Sequence, residues 1–166
     1  MINEKDRNAV RIIELPACKM VWSGVYKDAS NDADSSLLKR YEKWMTAQDA
    51  LRRDRFYSRD FMWYDIGAGG LAWGLAVVKT PEDTGGYDVI DFPGGLYAVV
   101  NYADNDAEGA HKHIQKWIED SGCFASDDNA NRHFMWHFIS TEAAKAAMGY
   151  YQYDFYFPIR IVEGTK

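Results

Sequence analysis

Cysteine is nearly absent from this chain: Cys18 and Cys123 are the only two in 166 residues. That excludes a disulfide framework or a zinc ribbon as the organising device and fits two free thiols in a reducing compartment. Histidine is scarce as well. His133 and His137 stand four apart, a helical ligand spacing, but in a strand that spacing separates them by about 13 Å. His111 and His113 are two apart on a helix and point to different sides. No metal site and no cofactor is expected. No apolar run is long enough to span a membrane. The first residues, Met1 to Arg7, lack the apolar core of a signal peptide. A cytoplasmic location is therefore expected.

Basic residues are in the minority, 19 against 25 acidic ones, for a formal charge of -6. The one dense basic run, Arg52-Arg53-Asp54-Arg55, is interrupted by an acid. Phosphate binding needs a concentrated basic patch, so direct contact with nucleic acid is not expected. A negative field mildly favours cationic ligands. Gly67-Ala68-Gly69-Gly70 with Gly74 is not followed by a helix of phosphate-loop spacing, so it reads as a hairpin turn. No Gly-x-Ser-x-Gly nucleophile elbow is present.

Aromatic residues, in contrast, make up 15% of the chain, with six Trp and eleven Tyr. Such rings serve a core and a recognition surface equally well, since they combine large contact area with a polar handle. Strands are expected at 10–14 and, after Pro16, at 18–26, then at 61–66 and 71–79. Between them Leu37, Leu38, Tyr41, Trp44 and Met45 fall at helical spacing, so 36–51 reads as an amphipathic helix capped by Asp34 or Ser35. Further strands are expected at 88–92, 96–102, 133–140 and 150–162. A helix over 105–121 stops at Gly122, and 141–149 reads as an Ala-rich connection with a helical turn. The pattern is one domain over 1–166, with pseudo-repeat halves at about 8–80 and 87–162. Each half is a β-hairpin with a helix, and each helix needs an apolar sheet face to cover. The expected fold class is α+β: two tandem β-α-β-β units in one antiparallel sheet, helices on one face and a cleft on the other.

Four motifs resemble the GyrI-like (gyrase-inhibitor-like) effector-binding domains, which occur alone or fused to bacterial transcription regulators. They are Trp63-Tyr64-Asp65, Gly95-Leu96-Tyr97-Ala98-Val99, Trp117-Ile118-x-x-Ser121-Gly122 and Phe155-Tyr156-Phe157-Pro158-Ile159. The resemblance spans Val10 to Ile161 and implies a cleft for a small hydrophobic or cationic aromatic molecule. It also implies the fold shared with the SOUL haem-associated proteins. With the pattern starting at Val10, no helix-turn-helix is expected ahead of it. Many members carry a cleft Glu that pairs with cationic ligands. By the run His133-Phe134-Met135-Trp136-His137, that position is Met135 here, and the Tyr two residues on is His137. Met135 replaces a charge by a flexible, polarisable side chain.

Side chains alternate along a strand, so His133, Met135 and His137 share one face, which the resemblance makes the cleft lining. Phe134, Trp136 and Phe138 take the other. Trp22, Tyr64, Trp73, Tyr151 and Tyr156 are further ligand-binding candidates, as strand aromatics near the matched motifs. Two alternatives stay open beside a small-molecule-binding module. Some relatives hydrolyse strained natural-product toxins, and His137, with Asp65 or Asp154, could serve as base. A filled cleft would instead leave a protein partner or a second copy of the chain as the ligand.

Overall fold

The computed structural model of the chain describes residues 10–27, 37–48, 60–104 and 106–162. The basic run at 52–55, the cap candidates Asp34 and Ser35 and the expected helix beyond 48 lie outside the described residues. Those residues form an α+β fold of antiparallel strands with three helices. In chain order they are β1 (Arg11–Leu15), β2 (Cys18–Trp22), α1 (Leu37–Ala47), β3 (Asp60–Asp65), β4 (Gly70–Val77), β5 (Asp88–Phe92), β6 (Gly95–Ala103), α2 (Ala107–Ser121), β7 (Phe124–Ser126), β8 (Met135–Phe138), α3 (Glu142–Met148) and β9 (Gln152–Ile161). Two compact units result, one from residues 17–92 and one from 10–16 with 93–162.

In the 17–92 unit the strands run β3-β4-β2-β5, all antiparallel. Period-two alternation splits β4 sharply. Leu71, Trp73, Leu75 and Val77 point one way, and the small residues Gly70, Ala72, Gly74 and Ala76 point the other. The large set meets α1: Tyr41, fully buried, joins Val21, Trp73 and Leu75, with Leu38, Trp44, Met45 and Tyr87 packed around them. The apolar spacing along 37–45 thus covers the sheet face that needs covering.

The other unit is built on β9, its longest strand. β6 pairs along one edge of β9, from Tyr97↔Pro158 to Ala103↔Gln152. The opposite edge is shared, with β8 against Tyr153 to Tyr156 and β7 against Ile159 to Ile161. β1 closes the far side of β6, with Arg11 opposite Val99. Helix α2 starts where the Asp106 carboxylate accepts from the Gly109 N–H at 2.8 Å. It buries Ala110, Ile114, Trp117 and Ile118 against β6, β7 and β9. Its His111 ring packs edge-on to Phe134 and Phe157. Phe155, Phe157 and Ile159 are fully buried, each worth roughly 1.5–3 kcal/mol of hydrophobic stabilisation.

Several elements differ from their sequence reading. β2 stops at Trp22, and Tyr26 returns only as an isolated bridge to Leu71. β8 begins at Met135 rather than His133, and β7 is a strand that no alternation announced. The helical turn expected in the Ala-rich connection extends over Glu142–Met148, opened by the Thr141 hydroxyl accepting from the Ala144 N–H. Strand partners also cross the expected halves. β1 pairs with β6, and β5 pairs with β2. Pro16 and Pro93 each stand where the chain leaves one unit for the other, positions that require no ladder N–H.

Candidate functional site

Helix α1 packs on one sheet face of the 17–92 unit and α2 on one face of the β9 unit. In the β9 unit, registers arrange the second face in rows across the strands. One row reads Arg11, Val99, Tyr156 and Met135, each the cross-strand partner of the next. The adjacent row reads Asn101, Asp154 and His137. On the other side Tyr97 lies opposite Pro158, and its ring meets that of Tyr156 at 6.3 Å. Phe134, Trp136 and Phe138 point the other way, packing on Phe155 and Tyr153. Met135, Val99, Tyr97 and Tyr156 are all buried.

A carboxylate does stand on this face, supplied by β9 rather than β8. Asp154 is only 7% exposed. Its Oδ2 receives Nη2 of Arg11 at 2.6 Å, and its Oδ1 receives Nδ2 of Asn101 at 3.3 Å. A buried charge of this kind requires such partners. Burial raises the pKa of Tyr97 above the phenol range, against the nearby Arg132 guanidinium, which lowers it. That guanidinium lies over the Tyr97 ring at 4.9 Å and donates to the Leu96 carbonyl at 2.6 Å. It also pairs with Asp127 and so clasps the 127–132 loop onto β6.

In the 17–92 unit the face away from α1 carries Met20, Trp22, Phe61, Trp63 and Phe92 around the small residues of β4. Trp22 and Trp63 lie parallel, 7° apart with centroids separated by 6.4 Å, across Gly74. The reason is space: a Cβ on Gly74 would come within 3.0 Å of the Trp63 ring and 3.1 Å of the Met20 sulfur. The Trp22 Nε1 is buried, and no acceptor among the described residues reaches it.

Met135, His137 and Tyr156 therefore share one face, and Trp22 lies on the face of its own unit away from α1. Trp73 and Tyr64 do not. Trp73 is in the core under α1, its Nε1 donating to Asp60 at 3.2 Å. Tyr64 alternates with buried Trp63 and is 52% exposed. Tyr151 precedes β9, packs on Phe138 and Tyr153, and donates to Glu142 of α3. Trp63, Tyr97 and Arg11 lie on these faces without being candidates from sequence, and Asp154 is a candidate there only beside the base His137. The alternation that separates Trp63 from Tyr64, and that places Tyr97 with Val99, was the available signal. Among the described residues no cluster of His, Cys, Asp and Glu is arranged to hold a metal ion, and no helix is long and apolar enough to cross a membrane.

No family model matches the chain, and no curated protein matches it in sequence. Solved structures do match in fold. The C-terminal domain of EcmrR aligns over 92% of this chain and 98% of that one, with TM-score 0.61 at 14% identity. A hydrolase from Listeria innocua aligns over 92% of each chain, with TM-score 0.58 at 12% identity. SAV2435, solved with tetraphenylphosphonium bound, aligns over 91% of this chain and 93% of that one, with TM-score 0.53 at 11% identity. At these identities the likeness is one of fold, and the fold of this chain is that of the EcmrR C-terminal domain.

Proposed function

We propose that this chain is a GyrI-like effector-binding domain, of tandem β-α-β-β type, that binds a small hydrophobic aromatic molecule. The observation that carries the reading is the row Val99, Tyr156 and Met135 beside Tyr97, on the sheet face away from α2. Apolar and aromatic side chains there surround a few convergent polar groups, the usual make-up of a small-molecule site. SAV2435, of the same fold, has been solved with the aromatic cation tetraphenylphosphonium bound, which supports a small-molecule site. The domain acts in the cytoplasm without touching nucleic acid itself.

The test is calorimetric and fluorescence titration against a panel of planar hydrophobic compounds. Saturable binding is expected, weakened several-fold in Met135→Ala and in Tyr156→Ala. No binding by any compound, or unchanged affinity in both variants, would sink the reading and favour a protein ligand.

A second reading, hydrolysis of a strained ligand, draws on one observation: His137 stands directly opposite Asp154 across the β8–β9 ladder. A histidine beside a carboxylate suits general-base work near neutral pH. Turnover abolished in His137→Ala with binding intact would support it. Stoichiometric binding without product excludes it for that compound.

A further inference from the structure

We infer that Arg11 and Asp154 set the charge preference of this ligand face, so that it takes aromatic compounds bearing an anionic acceptor group and rejects cations. The inference rests on the binding reading above and names the ligand class of that same face.

Asp154 is the carboxylate that a cationic ligand would seek there, and both its oxygens are already engaged. Oδ2 holds the Arg11 guanidinium and Oδ1 holds the Asn101 amide. A cation entering from solution must displace a guanidinium delivered by the same chain. A tethered group competes at an effective concentration in the millimolar range, so a free cation of ordinary affinity loses. Met135, two residues from His137 and in the row beside Asp154, adds no second carboxylate. The negative charge of the whole chain does not alter this, since long-range attraction between exposed charges is screened beyond about 8–10 Å at physiological salt.

Arg11 has capacity to spare. Its side chain is 52% exposed, and among the described residues its one polar partner is Asp154. A guanidinium carries five N–H donors in a planar fork suited to carboxylates and sulfonates. The donors not spent on Asp154 border the apolar row. Arg11 starts from one end of that row, but its guanidinium reaches across β6 to Asp154 on β9, which places the charge beside Val99 and Tyr156. An aromatic acid lying along Val99 and Tyr156 would put its acidic group on Arg11.

Three probes separate the possibilities: anilinonaphthalenesulfonate, the neutral N-phenylnaphthylamine that lacks its sulfonate, and tetraphenylphosphonium. Fluorescence and calorimetric titrations would be run on the full chain, on Arg11→Met, on Asp154→Asn and on the double variant. The wild type is expected to bind the sulfonate roughly tenfold or more tighter than the neutral probe, the gain of one charge-assisted hydrogen bond. Arg11→Met should erase that ratio and raise tetraphenylphosphonium affinity, and adding Asp154→Asn should remove the gain. The double variant, which buries no unpaired charge, serves if Arg11→Met does not fold, and it too must lose the sulfonate preference. An unchanged sulfonate-to-neutral ratio with the neutral probe still bound at a Met135-dependent site overturns this inference alone. Wild-type preference for tetraphenylphosphonium does the same. Failure of the neutral probe to bind overturns the binding reading and this inference with it.

Discussion

Tyr41 of α1 donates its hydroxyl proton to the Val21 carbonyl at 2.5 Å, inside the β2–β4 ladder. The same oxygen accepts from the N–H of Leu75 at 2.9 Å, and Leu75 is the cross-strand partner of Val21. A helix side chain thus occupies the place of a ladder bond and ties α1 to the sheet it covers. Burial pushes this phenol well above its ordinary pKa, with the nearby Asp60 adding to the rise and the Leu75 N–H opposing it.

Replacing Tyr41 by Phe leaves two buried backbone groups to find each other again, and should cost about 1–2 kcal/mol in chemical denaturation. The pH dependence follows from the direction of the shift. A group whose pKa is raised on folding contributes stability that is complete below its unfolded value, near pH 10, and is lost as pH rises through the folded value. The wild type should therefore lose stability above about pH 10, and Tyr41→Phe should lose measurably less over the same range. Parallel pH curves for the two proteins would refute the assignment.

Gly74 makes room for the stacked indoles of Trp22 and Trp63. Gly74→Val should destabilise by roughly 1–3 kcal/mol through overpacking and should alter the near-UV circular dichroism of the tryptophans. An unchanged spectrum would mean that the ring pair does not depend on this opening.

Gly95 has φ +109°, and a Cβ there would meet the Arg132 guanidinium at 2.8 Å. Gly95→Ala is expected to cost about 2–3 kcal/mol, combining backbone strain with loss of the clasp to Leu96. Arg132→Lys, which keeps the charge but not the planar fork, should destabilise in the same direction by less. Thermal melts of the two variants decide the order.

Met135 is 2% exposed, beside a carboxylate that already has its partners. Met135→Glu should therefore hold its new carboxyl protonated well above the usual range. Its folded pKa being raised, stability is retained below the unfolded value, near pH 4, and falls as pH rises through the folded value. Denaturation should show a larger cost at pH 7 than at pH 5, and an equal cost at both would mean that solvent reaches the side chain.

Much of the local structure was legible. The helical spacing of Leu38, Tyr41 and Met45 and the capped run ending at Ser121 both appear as helices. The alternation through Phe134, Met135, Trp136 and His137 separates the rings on the Phe155 side, where Phe134 meets His111 of α2, from Met135 and His137, which sit opposite Tyr156 and Asp154 on the other. Other residues were not legible for definite reasons. Trp63 and Tyr64 are adjacent aromatics on opposite faces, and choosing between them requires knowing which face α1 covers. Arg11 and Asp154 are far apart in sequence and meet because β1 and β9 flank β6.

The amino-acid sequence by itself determined most element types, the stop of α2 at Gly122 and the sets of residues that share a face, because backbone geometry imposes periods of two and 3.6. Tertiary structure alone decided the neighbours: β1 beside β6, β5 beside β2, β7 and β8 sharing one edge of β9. Period-two alternation is the same whichever strand lies alongside. Only the competition among long-range pairings to bury Tyr41, Phe155 and Tyr97 while satisfying Asp154 selects one arrangement.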